Sequence, residues 1–244
     1  YQNASNTTLK DILVKYRDEE TPKKKGAQSE LYRINRLINN KIALVSLLRL
    51  KSSHISTLKK ELEGRAPQTI KHYIQLISVA WNTAKKEWGI TLPAENPCSM
   101  VSMPKVNNRR EYILTHKQYN DLINACSDYI KDFVVMLYET GARYSELAEL
   151  QHSNVDLYNR KLTFVDTKNG DDRTIPINER ALSILKRYRF GKTVFNIDYQ
   201  KFYEHFCKAR HSVELDYFHA HDLRACWCTN AILSGMSLPE VSAL

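Results

Sequence analysis

The sequence predicts a mainly α protein of two domains: a helical one over residues 1–104, then a mixed α+β one over 105–244 holding a small antiparallel β-hairpin. Three observations lead there. Apolar residues recur at helical spacing through most of the first hundred positions, and only seven glycines interrupt the 244 residues. That pattern collapses between Gly89 and Arg110, where Pro93, Pro97 and Pro104 lead into the polar, basic stretch Lys105–Arg110, the texture of an interdomain linker. Beyond it, the β-type runs Lys161–Asp166 and Arg173–Ile177 flank Asn169-Gly170, a dipeptide suited to hairpin turns because both residues tolerate positive φ.

Taken in order, Thr8, Leu9, Ile12, Leu13 and Tyr16 predict an amphipathic helix, and Leu31, Ile34, Leu37 and Ile38 a second. Leu44, Leu47, Leu48 and Leu50 form a less regular apolar stretch, with helix breaks at Thr21-Pro22 and Gly64–Pro67. After Pro67 a long helix is expected from Ile70, Ile74, Ile77, Val79, Ala80, Trp81 and Ala84, with Lys71, His72, Gln75, Asn82 and Lys85 on its basic and polar face. Trp81 and Trp88 fit core anchors better than base-stacking platforms. In the second domain helices are expected from Thr115 to Ala125, over Ile130–Tyr138 up to Gly141, and from Tyr144 to Leu150. Further helices are expected over Glu179–Tyr188, Tyr199–Ala209 and Asp222–Leu233, with a brief strand at Thr193–Phe195.

Composition narrows the function. No apolar run approaches the ~18 residues a bilayer span requires, the longest being of the order of Phe133–Tyr138. Five cysteines without a CxxC pair suit neither a disulfide framework nor a zinc site, and point to reduced thiols in a cytoplasmic protein. The net charge of +9 is unevenly placed: residues 1–105 hold 18 basic against 9 acidic side chains, and residues 106–244 hold 18 of each. A basic domain joined to a neutral one suits a polyanion, since neutralising phosphates releases condensed counterions. The chain starts at Tyr1 and stops at Leu244 within a helical pattern, so a fragment of a longer protein is expected.

Three local patterns carry chemistry. Gly141-Ala142-Arg143-Tyr144-Ser145-Glu146-Leu147 sets an arginine at a turn into a helix, where its planar fork and the helix-start N–H groups both suit a phosphate. Lys168 sits at the tip of the hairpin, and His221-Asp222-Leu223-Arg224 puts His221 and Arg224 on one helical face. Each is weak alone: Arg143 could simply pair with Glu146, and Lys168 could be a solvated turn lysine. His219 and the pair Cys226 and Cys228 fit structural roles.

In their order and separation these motifs resemble the tyrosine recombinase, or phage integrase, family. The likeness joins the Arg143 motif, the hairpin Thr167-Lys168-Asn169-Gly170 with Arg173-Thr174-Ile175-Pro176-Ile177, and the His221-x-x-Arg224 box. It extends to Thr8–Tyr16, Thr69–Trp88 and Asn96-Pro97, which resemble the family's helical, SAM-like core-binding domain. The resemblance implies a catalytic domain in which Arg143 and Arg224 clamp the scissile phosphate, Lys168 protonates the leaving 5′-oxygen, His221 bonds the phosphate, and Glu146 holds Arg143. It implies strand exchange through a 3′-phosphotyrosine and a Holliday junction, with no metal, ATP or other cofactor. Expected partners are double-stranded DNA bearing an inverted-repeat site, three further copies in a homotetramer, and DNA-bending accessory proteins, within a bacterial nucleoid or for a phage or mobile element. Thr69, Lys71, His72, Gln75, Arg109, Arg110 and Arg173 are the expected DNA contacts. Of fourteen tyrosines none follows Arg224, where the family carries its nucleophile, so these 244 residues are expected to bind DNA without cutting it. A noncatalytic DNA-binding regulator on the same fold, an enzyme like a type IB topoisomerase, and an RNA-binding helical module are the alternatives.

Overall fold

A computed structural model of the protein describes residues 7–24, 26–107, 112–165 and 172–243. Contacts divide the chain into two compact units, residues 1–108 and 109–244.

The first unit is helical. Helix α1 (Leu9–Glu19) opens on a capping box in which Thr8 Oγ1 accepts from Asp11 N at 3.3 Å and Asp11 Oδ2 accepts from Thr8 N at 2.7 Å. Helix α2 (Ala27–Ile38) follows, then two 3₁₀ turns over the irregular apolar stretch, Lys41–Leu44 and Leu47–Arg49, and α3 (Ser52–Glu61). Helix α4 (Pro67–Lys86) begins with proline in its first turn, where the missing N–H costs no bond. It buries Ile70, Tyr73, Ile74, Leu76, Ile77, Ala80, Trp81 and Ala84, a stripe at three- and four-residue spacing. Trp81 is fully enclosed, whereas Trp88 is half-buried with Lys15 Nζ 4.7 Å from its ring.

The proline-punctuated segment after α4 is not the open linker its composition suggests. Ile90, Leu92, Cys98 and Val101 are buried in the first core. Lys85 Nζ donates to the carbonyls of Pro93 and Ala94 at 3.1 and 3.0 Å, and Asn96 Nδ2 donates to Ser78 O and Asn82 Oδ1 at 3.1 and 3.0 Å. Proline forbids a helix there but does not prevent packing, and the polar side of α4 supplies the donors and acceptors.

The second unit has its own core. Helix α5 (His116–Ala125) starts on a second capping box, Thr115 with Gln118. Helix α6 (Asp128–Thr140) buries Ile130, Phe133, Val134, Val135, Met136, Leu137 and Thr140 and packs against the elements that follow. After the short α7 (Tyr144–Ala148) come β1 (Val155–Asp156), β2 (Lys161–Phe164) and β3 (Arg173–Pro176), an antiparallel sheet in that order. The register pairs Leu162 with Ile175 and Phe164 with Arg173. Helices α8 (Glu179–Leu185), α9 (Tyr199–Ser212), α10 (Asp222–Leu233) and α11 (Leu238–Ala243) complete the unit. The strand expected at Thr193–Phe195 is only a single bridge from Thr193 to Gln151, with Val194 N donating to Leu150 O at 2.8 Å, and the helices expected to reach Leu150 and Tyr188 end at Ala148 and Leu185. No described helix is long and apolar enough to cross a membrane.

Candidate active site

Helix α6 stops at Gly141, whose φ of 60° lies in the left-handed region. The turn that follows places Arg143 as the N-cap of α7, with its N–H on Glu146 Oε2 at 2.9 Å and its Nη1 on Glu146 Oε1. Glu146 thereby fixes both the backbone and the head group of Arg143, three residues away.

The other oxygen of Glu146 has a second partner. Arg173 Nη2 donates to Glu146 Oε2 at 2.7 Å, across the fold from the start of β3. Strand alternation puts Arg173 on the same inward face as Ile175, and its register partner Phe164 lies beneath it, ring centroid 5.0 Å from the guanidinium carbon. Arg224, one turn into α10, donates through Nη1 to the carbonyl of Gly141. A chain of contacts thus runs from α10 through the α6–α7 turn to β3.

Electrostatics show the same cluster. Burial alone would push Glu146 up, but the hydrogen bonds from Arg143 and the charges of Arg173 and Arg143 hold its carboxyl below the usual glutamate value. Burial, helped by the positive charge of Arg224 and Arg143, holds Arg173 below the ordinary guanidinium value in spite of Glu146. Two guanidinium groups, those of Arg143 and Arg173, therefore share one buried carboxylate, and Arg224 is close enough for its charge to act on Arg173. The side chain of Arg143 is 31% exposed against 9% for Arg173 and 6% for Glu146, so Arg143 can be reached from solvent while the pair behind it cannot.

His221 is exposed and caps the start of α10, its carbonyl accepting from Arg224 N at 3.2 Å. The neighbouring Asp222, which the sequence did not single out, is buried, and its Oδ2 accepts from His219 N at 2.8 Å. His219 Nδ1 bonds Tyr217 O at 2.9 Å, and Tyr217 packs on Tyr112 with ring centroids 4.4 Å apart. These contacts shape the turn ahead of α10. Among the described residues no three His, Cys, Asp or Glu side chains could hold a metal ion.

Lys168, Arg109 and Arg110 lie outside the described residues. Arg173, for which a DNA contact is expected, is buried against Glu146, because the pleat that carries Ile175 inward carries Arg173 inward too. In the first unit Thr69, Lys71 and His72 are half-buried on α4 and Gln75 is exposed. Thr69 N bonds Ala66 O at 2.8 Å, and His72 Nε2 lies 2.7 Å from the Gln68 amide nitrogen.

Residues 112–244 match the phage integrase family. The chain belongs to this family of tyrosine recombinases. The chain is 28% identical over 235 residues to a shufflon-specific DNA recombinase of Escherichia coli, a match covering 89% of this chain and 60% of that protein. It is 36% identical over 151 residues to the tyrosine recombinase XerA of Pyrococcus furiosus, covering 59% of this chain and 51% of the relative. The chain thus spans less than two-thirds of the length of either. Among solved structures it is similar to the integrase of the Tn1549 transposon bound to circular intermediate DNA, with a TM-score of 0.80 and 17% identity over 98% of this chain and 91% of that one. It is also similar to the lambda integrase in a tetramer bound to a Holliday junction, with a TM-score of 0.78 and 19% identity over 98% of this chain and 77% of that one. At these identities the likeness is one of fold: mainly helical, with one small antiparallel sheet.

Proposed function

We propose that this chain is the DNA-binding and phosphate-clamping part of a site-specific DNA recombinase. The observation that carries the proposal is the pairing of Arg143 and Arg173 with the one carboxylate of Glu146, with Arg224 held beside them on the Gly141 carbonyl and Arg143 open to solvent. An excess of fixed cations at a turn into a helix suits a phosphodiester, and suits it best when charge builds on the nonbridging oxygens during displacement.

In the proposed reaction a tyrosine hydroxyl attacks the phosphorus in line. The Tyr O–P bond forms, the bond from phosphorus to the 5′-oxygen breaks, the phenolic proton leaves, and the 5′-oxygen takes up a proton to leave as a hydroxyl. Arg143 and Arg224 stabilise the pentacoordinate state, His221 bonds the phosphate and helps manage the nucleophile's proton, and Lys168 protonates the 5′-oxygen. The 3′-phosphotyrosine stores the bond energy, so resealing onto a second strand needs neither ATP nor a metal. Two such exchanges pass through a Holliday junction, which assigns the protein to a homotetramer on paired inverted-repeat sites, with DNA-bending proteins as further partners. The lambda integrase tetramer on a Holliday junction supports that assembly by analogy.

The test is a covalent trap on a nicked duplex of the protein's own site, using a form that continues past Leu244 through the family's tyrosine. A denaturation-resistant protein–DNA adduct should form without added metal. Arg143→Ala and Arg224→Ala should each reduce its rate by about a hundredfold or more. Site-specific binding that never yields an adduct would instead make the protein a DNA-binding regulator. Relaxation of supercoils by a monomer without a defined site would make it an enzyme like a type IB topoisomerase.

A further inference from the structure

We propose that Arg173 is a positioning residue of the phosphate clamp: a buried counter-charge that occupies Glu146, so that Arg143 keeps its full positive charge for the phosphodiester. The inference rests on the reading of Arg143 and Arg224 as the clamp.

Arg173 is costly where it stands. It is 9% exposed, and only Nη2 has a hydrogen-bond partner among the described residues; Nε and Nη1 are buried without one. A buried guanidinium so incompletely satisfied contributes little to stability, and an apolar side chain of similar length over the Phe164 ring would fill the same space at lower cost. What Arg173 supplies is charge. Glu146 serves Arg143 by gripping its N–H and its Nη1, but a carboxylate paired with Arg143 alone makes a neutral couple, to which a phosphate has little attraction. With Arg173 on Oε2 of that carboxylate the couple becomes a cationic trio, and Arg224 on the Gly141 carbonyl adds a further charge. Glu146 can then hold Arg143 in place without cancelling it. Arg173 acts through Glu146, from a depth at which it needs no contact with the phosphate.

The experiment titrates the 244-residue chain with inorganic phosphate and follows the side-chain Nε–Hε resonances of Arg143 and Arg224, with a melting curve for each variant. Arg173→Met should weaken phosphate binding roughly fivefold or more, the effect of losing one poorly screened charge nearby. Arg173→Lys should stay within about twofold of the parent, since it keeps the charge. The double variant Arg173→Met with Glu146→Gln removes one charge of each sign and should recover most of the lost affinity. If the double variant stays as weak as Arg173→Met while still melting cooperatively, Arg173 is a purely structural residue and the proposal is overturned. Unchanged binding in Arg173→Met overturns it as well. If Arg143→Ala and Arg224→Ala leave phosphate binding untouched, the clamp itself is wrong and this inference falls with it, a result distinct from failure at Arg173 alone.

Discussion

Glu146 is where the energetics of the site meet those of the fold. Its carboxyl is buried and held below the ordinary glutamate value of 4.5 by the hydrogen bonds of Arg143 and the charge of Arg173, which together outweigh desolvation. A carboxyl depressed on folding contributes stability that is fully present above its unfolded value and is lost as pH falls through its folded value. Acidification from above to below the ordinary glutamate value of 4.5 should therefore weaken the second unit, because protonation leaves Arg173 buried beside a neutral acid. Glu146→Gln cannot titrate, so its denaturant-unfolding free energy should fall less over the same interval. Equal pH slopes for the two proteins would show that folding does not hold the Glu146 carboxyl below its unfolded value. At this scale the sequence was a partial guide. The spacing of Arg143 and Glu146 is local and announces a capping interaction, whereas the bond from Arg173 to Glu146 joins positions far apart in the chain. Its inward direction was nonetheless written in the alternation of Leu162 and Phe164 with Arg173 and Ile175.

The elements that position the proposed clamp converge on Gly141. It ends α6 at a positive φ, its carbonyl receives Arg224 from α10, and a Cβ built on it would stand 2.6 Å from the ring of Trp227. A side chain there meets two costs at once. The left-handed backbone disfavours an L-residue by about 1 kcal/mol, and the indole of a packed helix must move, at about 1–3 kcal/mol more. Gly141→Ala should thus destabilise the second unit by roughly 2–4 kcal/mol in urea unfolding. It should also loosen Arg224, so phosphate affinity falls with stability. A loss below about 0.5 kcal/mol would mean that α6 and α10 are not locked at this point. The helix break at Gly141 was legible in the sequence, as were α4 and the Thr115 start of α5, because caps, breakers and apolar stripes act over a few residues. Helix α3 was missed, since it shows only Ile55 and Leu58 to the core. The packing of the Pro93–Val101 segment was also missed, because its bonds come from Lys85, Asn82 and Ser78 on the preceding helix and are not encoded within the segment itself.

Across the whole molecule, charge and core divide at the same place. Each unit has its own buried cluster, and a boundary at 108/109 leaves 18 basic against 9 acidic residues in the first unit and 18 of each in the second, since residues 106–108 are uncharged. The second unit gathers its cations locally around Glu146, whereas the first carries a net surplus. On the proposed function these are two different ways of meeting a polyanion: one phosphate held in a fixed geometry, and many neutralised without regard to sequence. The second mode has a thermodynamic signature, because each neutralised phosphate releases counterions and steepens the fall of log K with log salt by about 0.9. Expressed separately, the first unit should bind a mixed-sequence duplex with a slope of several units in this plot, and the second should bind more weakly with a much flatter one. Within the first unit, Lys71→Ala on the polar side of α4 should flatten the slope by about one. Gln75→Ala, which removes no charge, should leave it unchanged. Should the second unit prove as salt-sensitive as the first, the uneven charge along the chain would have no bearing on DNA affinity, and the cluster at Glu146 would have to account for it.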